Sequence, residues 1–160
     1  MSEFLIRAKR YDTGKLVEIV VRNGYVTAVQ EAETQAGKVR SPETGRGRLS
    51  TEHCRILEAE FVAPGFCDIQ VNGALGHNFT THDLTVEQVR AVTEECLRHG
   101  TTAYCPTVIT SDFATLRDAF SVLAEAVERD ELVQAMVIGF HLEGPYICPD
   151  PGPRGAHPAA

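Results

Sequence analysis

The stretch Val137-Ile-Gly-Phe-His-Leu-Glu-Gly-Pro145 decides how the rest of the chain is read. An apolar run, Met136 to Phe140, leads directly into His141, Glu143 and a Gly-Pro turn. A short apolar run bounded by turn residues predicts a strand covered on both faces, as in a parallel sheet. Ionisable residues at the carboxyl end of such a strand stand where α/β folds place their chemistry.

Upstream of that strand the pattern alternates. A helix is predicted over residues 113–129, with Asp112 as N-cap and Phe113, Leu116, Phe120, Leu123 and Val127 on one face. A strand over 101–109 precedes it. Before that, a helix over 86–98 begins with Thr85 as N-cap and Gln88 three residues on, a capping-box pattern. Its apolar stripe is Val86, Val89, Val92, Cys96 and Leu97, and Gly100 supplies the stop. Residues 66–71 read as a strand ending at Asn72-Gly73, and 56–62 as another, closed by Ala63-Pro64-Gly65. The βαβαβ order implies a parallel sheet with right-handed crossovers. Three parallel strands and two helices fall short of a closed (β/α)8 barrel, so this part reads as the opening of one.

The first residues have a different character. Runs at 16–21 and 25–29 are β-branched and apolar, joined through Arg22-Asn23-Gly24, a strong hairpin signal. Residues 31–52 are polar and predict an exposed excursion with little fixed structure. The expected division is therefore a small β segment over 1–62 and the α/β part over 63–160.

Composition narrows the partners. The net charge is −7 and the basic residues are scattered, which argues against a nucleic-acid or anionic-membrane surface. Apolar content of 43% is enough for a packed core, and no run is long enough to span a membrane. The N-terminus lacks the pattern of a signal peptide. Five cysteines with no C-x-x-C pair predict reduced, mostly buried thiols in a cytoplasmic protein. Small metabolites are the expected partners.

Four strings carry candidate chemistry. In Asp68-Ile-Gln-Val-Asn-Gly73, strand alternation puts Asp68, Gln70 and Asn72 on one face, where they need hydrogen bonds, a metal or a substrate. A polar ladder at a strand end reads equally well. In His99-Gly-Thr-Thr…Thr110, His99 reads as a helix cap, while Thr107 and Thr110 are placed to orient a ligand. In His141-Leu-Glu-Gly-Pro145, Glu143 reads as a metal ligand, a general base or a satisfied acid. His141 either converges with it on one ion or holds it in place. In Arg154-Gly-Ala-His157-Pro158, His157 can exchange a proton near neutral pH or simply be solvated.

Taken together, these strings and Ala63-Pro-Gly-Phe-Cys-Asp-Ile-Gln-Val-Asn-Gly73 resemble the N-terminal part of the N-acetylglucosamine-6-phosphate deacetylases, in the amidohydrolase superfamily. The resemblance implies a small β-sandwich-like segment followed by the first units of a TIM-like (β/α)8 barrel. It implies hydrolysis of the acetamide of N-acetylglucosamine 6-phosphate. Where amidohydrolases usually carry His-x-His, this chain has Gln70-x-Asn72, and amides are poor ligands for a zinc-like ion. One divalent, zinc-like ion is the expectation, with Glu143 as its carboxylate ligand. Ala156 and His157 match substrate-contacting positions, His157 helping to polarise the acetamide carbonyl. Gln70, Asn72 and His141 stand at the rim. By the same resemblance, the general-base Asp, further His ligands and phosphate-binding groups come from later strands, and the whole enzyme is a homodimer. The chain is accordingly expected to be an N-terminal fragment without turnover of its own. The other readings are a non-catalytic truncated isoform that pairs with a full-length chain, and an amidohydrolase acting on another amide.

Overall fold

The structure, a computed structural model, describes residues 3–35, 38–40, 55–144, 146–148, 150–155 and 157–158. The chain divides into two compact units, Met1–Pro64 and Gly65–Ala160.

In the first unit, β1 (Glu3–Arg10), β2 (Leu16–Arg22), β3 (Tyr25–Glu31) and β6 (Arg55–Val62) form one sheet in the order β3-β2-β1-β6. The hairpin turn between β2 and β3 is Asn23-Gly24, with φ of 52° and 82°. Both values lie in the left-handed region that an Asn-Gly pair tolerates, which is why the sequence signal was strong. β1 pairs antiparallel with β2 but parallel with β6, so the sheet is mixed. Leu5, Ala8, Val17, Val20 and Val21 are buried. Glu18 is buried among them, and Arg7 meets its charge at 2.7 Å.

One expectation for this unit changes. The excursion over 31–52 is not uniformly irregular: β4 (Glu33–Gln35) and β5 (Lys38–Arg40) pair as a short hairpin. Residues 41–54, the remainder of that reading, lie outside the described residues. The described strands of this unit are the four-stranded sheet and this hairpin.

In the second unit, β7 (Phe66–Val71) is followed by a small hairpin of β8 (Gly73–Ala74) and β9 (His77–Asn78). Then come α1 (Val86–Arg98), β10 (Thr101–Ile109), α2 (Phe113–Arg129), α3 (Glu131–Met136) and β11 (His141–Glu143). The sheet order is β11-β10-β7, all parallel, with β10 central. Thr85 and Gln88 make the reciprocal capping box, and Asp112 caps α2. The core gathers Val89 and Val92 of α1, Ala119, Leu123 and Ala126 of α2, Val133 and Met136 of α3, and Tyr104 and Val108 of β10. A buried hydroxyl chain runs through it: Tyr104 Oη meets Thr93 Oγ1 at 2.8 Å, and Thr93 donates to the Val89 carbonyl at 2.8 Å. Burial pushes the Tyr104 phenol up to about 12.

The strand expected over Met136 to Phe140 lies elsewhere. Met136 ends α3, Val137 makes only a single bridge to Tyr104, and the ladder with β10 begins at His141. Asp130 ends α2 and starts α3 by accepting the Leu132 and Val133 N–H groups at 2.9 and 3.0 Å. The helix it starts takes in Met136, the first residue of the apolar run. Nor is the segment covered on both faces, since Ile138, Phe140 and Leu142 are exposed in the described structure. Two stripe residues also turn outward: Leu97 is exposed, and Phe113 is 80% exposed at the start of α2. Thr93 and Thr115, polar but hydrogen-bonded, are buried instead.

The thiols differ from expectation as well. Cys67 and Cys148 are exposed, and Cys96 and Cys105 are only partly buried. No helix among the described residues is long and apolar enough to cross a membrane.

Candidate functional site

An open pocket of about 230 Å³ lies where the three parallel strands end. It is lined by Gln70 from β7, Asn72 just beyond it, Ile109 from the end of β10, Glu143 from the end of β11, and His157 from the last loop. Parallel register brings the ends together: Thr107 stands opposite His141 and Ile109 opposite Glu143.

Glu143 is the hub. Its Oε2 accepts a hydrogen bond from Gln70 Nε2 at 2.8 Å, and its Oε1 stands 3.5 Å from His157 Nε2. Gln70 reaches it across β10, so the amide holds the carboxylate at the centre of the pocket. The Gly144 turn that follows has φ of 81°, and a Cβ there would meet Ile147 Cδ1 at 2.6 Å, Thr110 Oγ1 at 2.8 Å and His157 Cε1 at 2.9 Å. Only glycine gives both the left-handed backbone and this closeness. Thr110 stands in the cradle so formed, 2.7 Å from the Gly144 carbonyl and 3.1 Å from His157 Nδ1. Ile147 N–H also bonds the Gly144 carbonyl, at 3.2 Å.

The other predicted residues divide. Asn72 lines the pocket, and its carbonyl accepts the Phe79 N–H at 3.1 Å. Gly73 beside it has no room for a side chain, because a Cβ would fall 2.0 Å from the His77 carbonyl oxygen. Asp68 lies outside the pocket, contrary to simple alternation. The β7–β10 register shifts between Tyr104 and Pro106, where β7 advances three positions, Asp68 to Val71, while β10 advances two. The bulge breaks the two-residue period. The Asp68 carboxylate accepts the Gln70 backbone N–H at 3.0 Å instead. Its charge also acts on Cys96, whose thiol is raised chiefly by burial.

His141 does not join Glu143. Its Nδ1 lies 3.1 Å from the Ile69 carbonyl and 3.4 Å from Thr107 Oγ1, so it ties β11 to β7 and β10. Ala156 lies outside the described residues. Sequence reasoning missed Ile109, whose strand-end position gave no signal of its own.

A divalent ion can be tested against these donors. Two ligands held about 2.1 Å from one tetrahedral ion stand about 3.4 Å apart. The 3.5 Å between Glu143 Oε1 and His157 Nε2 is close to that spacing. Among the described residues no group of three or more His, Cys, Asp or Glu side chains converges to hold a metal. The pocket thus offers part of a ligand set: a carboxylate steadied by an amide, with an imidazole beside it.

Comparison with known proteins gives a consistent result. No protein-family model matches the chain. Over 133 residues it is 33% identical to the N-acetylglucosamine-6-phosphate deacetylase of Bos taurus, covering 79% of this chain and 31% of that protein. It is 39% identical over 108 residues to the N-acetylgalactosamine-6-phosphate deacetylase of Shewanella sp. (strain ANA-3), covering 68% and 26% respectively. Among solved structures, the Pasteurella multocida N-acetylglucosamine-6-phosphate deacetylase superposes with TM-score 0.73 at 25% identity, covering 98% of this chain and 37% of its own. A Mycobacterium smegmatis deacetylase mutant solved with N-acetyl-D-glucosamine-6-phosphate gives TM-score 0.66 at 25% identity, covering 93% of this chain and 34% of its own. The chain therefore spans about a third of the length of the curated relatives it matches, 31% in the bovine case.

Proposed function

We propose that this chain, a relative of the N-acetylglucosamine-6-phosphate deacetylases over about a third of their length, supplies one side of the active site of such an amide hydrolase. The observation that carries the reading is the Gln70–Glu143–His157 arrangement at the strand ends, on a chain similar in sequence and fold to these enzymes. In this reading the three parallel strands belong to a (β/α)8 barrel whose remaining units complete the site.

Glu143 would hold a divalent ion through its carboxylate, with His157 next to it. When bound, such an ion polarises a carbonyl and makes a bound water acidic. The chain's own residues would do the rest. Gln70 donates its amide N–H to Glu143 and so fixes which carboxylate oxygen stays open to the pocket. His157 stands at the pocket wall, where an acetamide group would lie. Ile109 gives that group an apolar neighbour. Ala156 stays a candidate substrate contact by resemblance, and His141 is a structural brace at the rim. A cytoplasmic, homodimeric enzyme is part of the same proposal.

The substrate is proposed to be a 6-phosphorylated N-acetylhexosamine. The gluco sugar leads because the bovine relative and the liganded mycobacterial structure carry its name. The galacto sugar is the second reading, favoured by the 39% identity to the Shewanella enzyme.

Zinc titration of the isotope-labelled chain, followed by amide and side-chain NMR, tests the site. Shifts centred on Gln70, Glu143 and His157, and absent in Glu143→Gln, are expected. Shifts centred on the surface acids Asp112 and Asp118, unchanged by that substitution, would overturn it.

A further inference from the structure

We infer that Thr80 is a positioning residue for the pocket: its hydroxyl takes the place of a strand neighbour beside Ile109 and so fixes where the ends of β10 and β11 stand. β7 and β10 pair as far as Val71 and Pro106, and there the ladder stops. β7 ends, and Gly73 opens the β8–β9 hairpin. Ile109 stands three residues beyond the last β7 pair. Its backbone N–H, only partly exposed, still needs an acceptor. Thr80 Oγ1 supplies one at 2.9 Å, the ordinary length of such a bond. The residue before it serves the other strand, since Phe79 donates its N–H to the Asn72 carbonyl at 3.1 Å. Phe79 and Thr80 thus form a two-residue strap across the gap between the strand ends. Each holds a residue that lines the pocket.

The strap is anchored by contacts away from the pocket. The Phe79 side chain is fully buried in the core of the unit. The Thr80 N–H bonds Asn78 Oδ1 at 2.8 Å, and two residues on His82 Nε2 lies 2.6 Å from Thr115 Oγ1 on α2. Held on both sides, the strap positions Ile109 rather than following it. Ile109 in turn stands opposite Glu143, and each is the last residue of its strand. A shift at the end of β10 therefore carries to the carboxylate that Gln70 holds at 2.8 Å. Asn72, Ile109 and Glu143 all answer to two residues that do not themselves line the pocket. Valine at position 80 would keep nearly the same shape and lose the acceptor, whereas serine would keep it. The consequence for catalysis rests on the deacetylase reading above, whereas the positioning itself does not.

Amide hydrogen exchange and side-chain NMR of the isotope-labelled chain test this. In the unmodified chain the Ile109 amide should be protected. In Thr80→Val it should exchange roughly tenfold faster, the effect of losing one hydrogen bond. The Gln70 side-chain NH2 resonances should move as well, because their partner is Glu143. Thr80→Ser should restore both. A hydroxyl with a merely structural role would lower stability in urea and leave the native Gln70 resonances in place. A folded Thr80→Val chain with that behaviour overturns the assignment. An unprotected Ile109 amide in the unmodified chain, or in a folded Thr80→Ser chain, overturns it even if the valine variant does not fold. Thr80→Ala then serves for the comparison, with the same shifts expected. None of these measurements involves zinc or a sugar phosphate, so their failure is distinct from failure of the deacetylase reading.

Discussion

Replacing Thr93 with valine removes one oxygen from the centre of the second unit and leaves the shape nearly unchanged. Thr93 is fully buried on α1, and its hydroxyl donates to Val89 O, so it receives the hydrogen bond from Tyr104. Tyr104 is itself fully buried on the central strand. In Thr93→Val the phenol keeps its proton and has no partner, and a buried unsatisfied hydroxyl costs about 1–3 kcal/mol. Helix propensity hardly changes between Thr and Val. We therefore expect a loss of about 2 kcal/mol, a change of more than tenfold in the ratio of folded to unfolded unit. Tyr104→Phe removes the other partner, but Thr93 still bonds Val89 O, so the loss should be about 1 kcal/mol. Removing both hydroxyls should cost less than Thr93→Val alone, because no polar group is then left unmet. Urea unfolding of the chain and its three variants, followed at amides of α1 and β10, measures this. Equal losses for the two single variants, or strictly additive losses in the double, would refute the hydrogen-bond direction. The consequence reaches the pocket, since this chain of hydroxyls seats α1 on the strand that ends at Ile109.

Gly144→Ala should destabilise the second unit by about 1–2 kcal/mol from its left-handed backbone alone. Because the new methyl meets Thr110 and His157, the His157 ring resonances should shift as well; an unchanged ring spectrum would count against the cradle. The Asp130 carboxyl is held below its ordinary range by the Val133 N–H and then by Arg90. A depressed carboxylate stabilises above its unfolded value, about 3.9, and that contribution is lost as pH falls through the folded value. Asp130→Asn still caps α3 but cannot titrate, so its acid unfolding curve should be flatter below about pH 4. Identical acid limbs would contradict that. The 160-residue chain alone should release no acetate from N-acetylglucosamine 6-phosphate, because its described donors complete no metal site.

The local rules read well where chemistry and geometry are local. The Asn23-Gly24 turn, the Thr85–Gln88 box and the Asp112 cap each depend on residues within a few positions, and each stands as its sequence implies. The candidate pocket was legible in part: Gln70, Asn72, Glu143 and His157 converge, as their strings suggested. What failed depended on pairing across the chain. The ladder between β7 and β10 slips by one residue between Asp68 and Val71, and Asp68 lies outside the pocket, which no pattern within residues 66–73 foretells. His141 is two residues from Glu143, yet Ile69 and Thr107 claim its ring. The helix α3 spans Glu131–Met136, a stretch too short for periodicity to mark, and overlaps the expected strand only at Met136. The cover expected over Ile138 and Phe140 is likewise a matter of long-range packing.

The most direct test replaces the matched segment of the bovine deacetylase with this chain and measures acetate released from N-acetylglucosamine 6-phosphate, with zinc present. The account predicts turnover by the chimera, and its loss in a folded Glu143→Gln version. A chimera that hydrolyses the sugar phosphate equally well with and without the Glu143 carboxylate would contradict it.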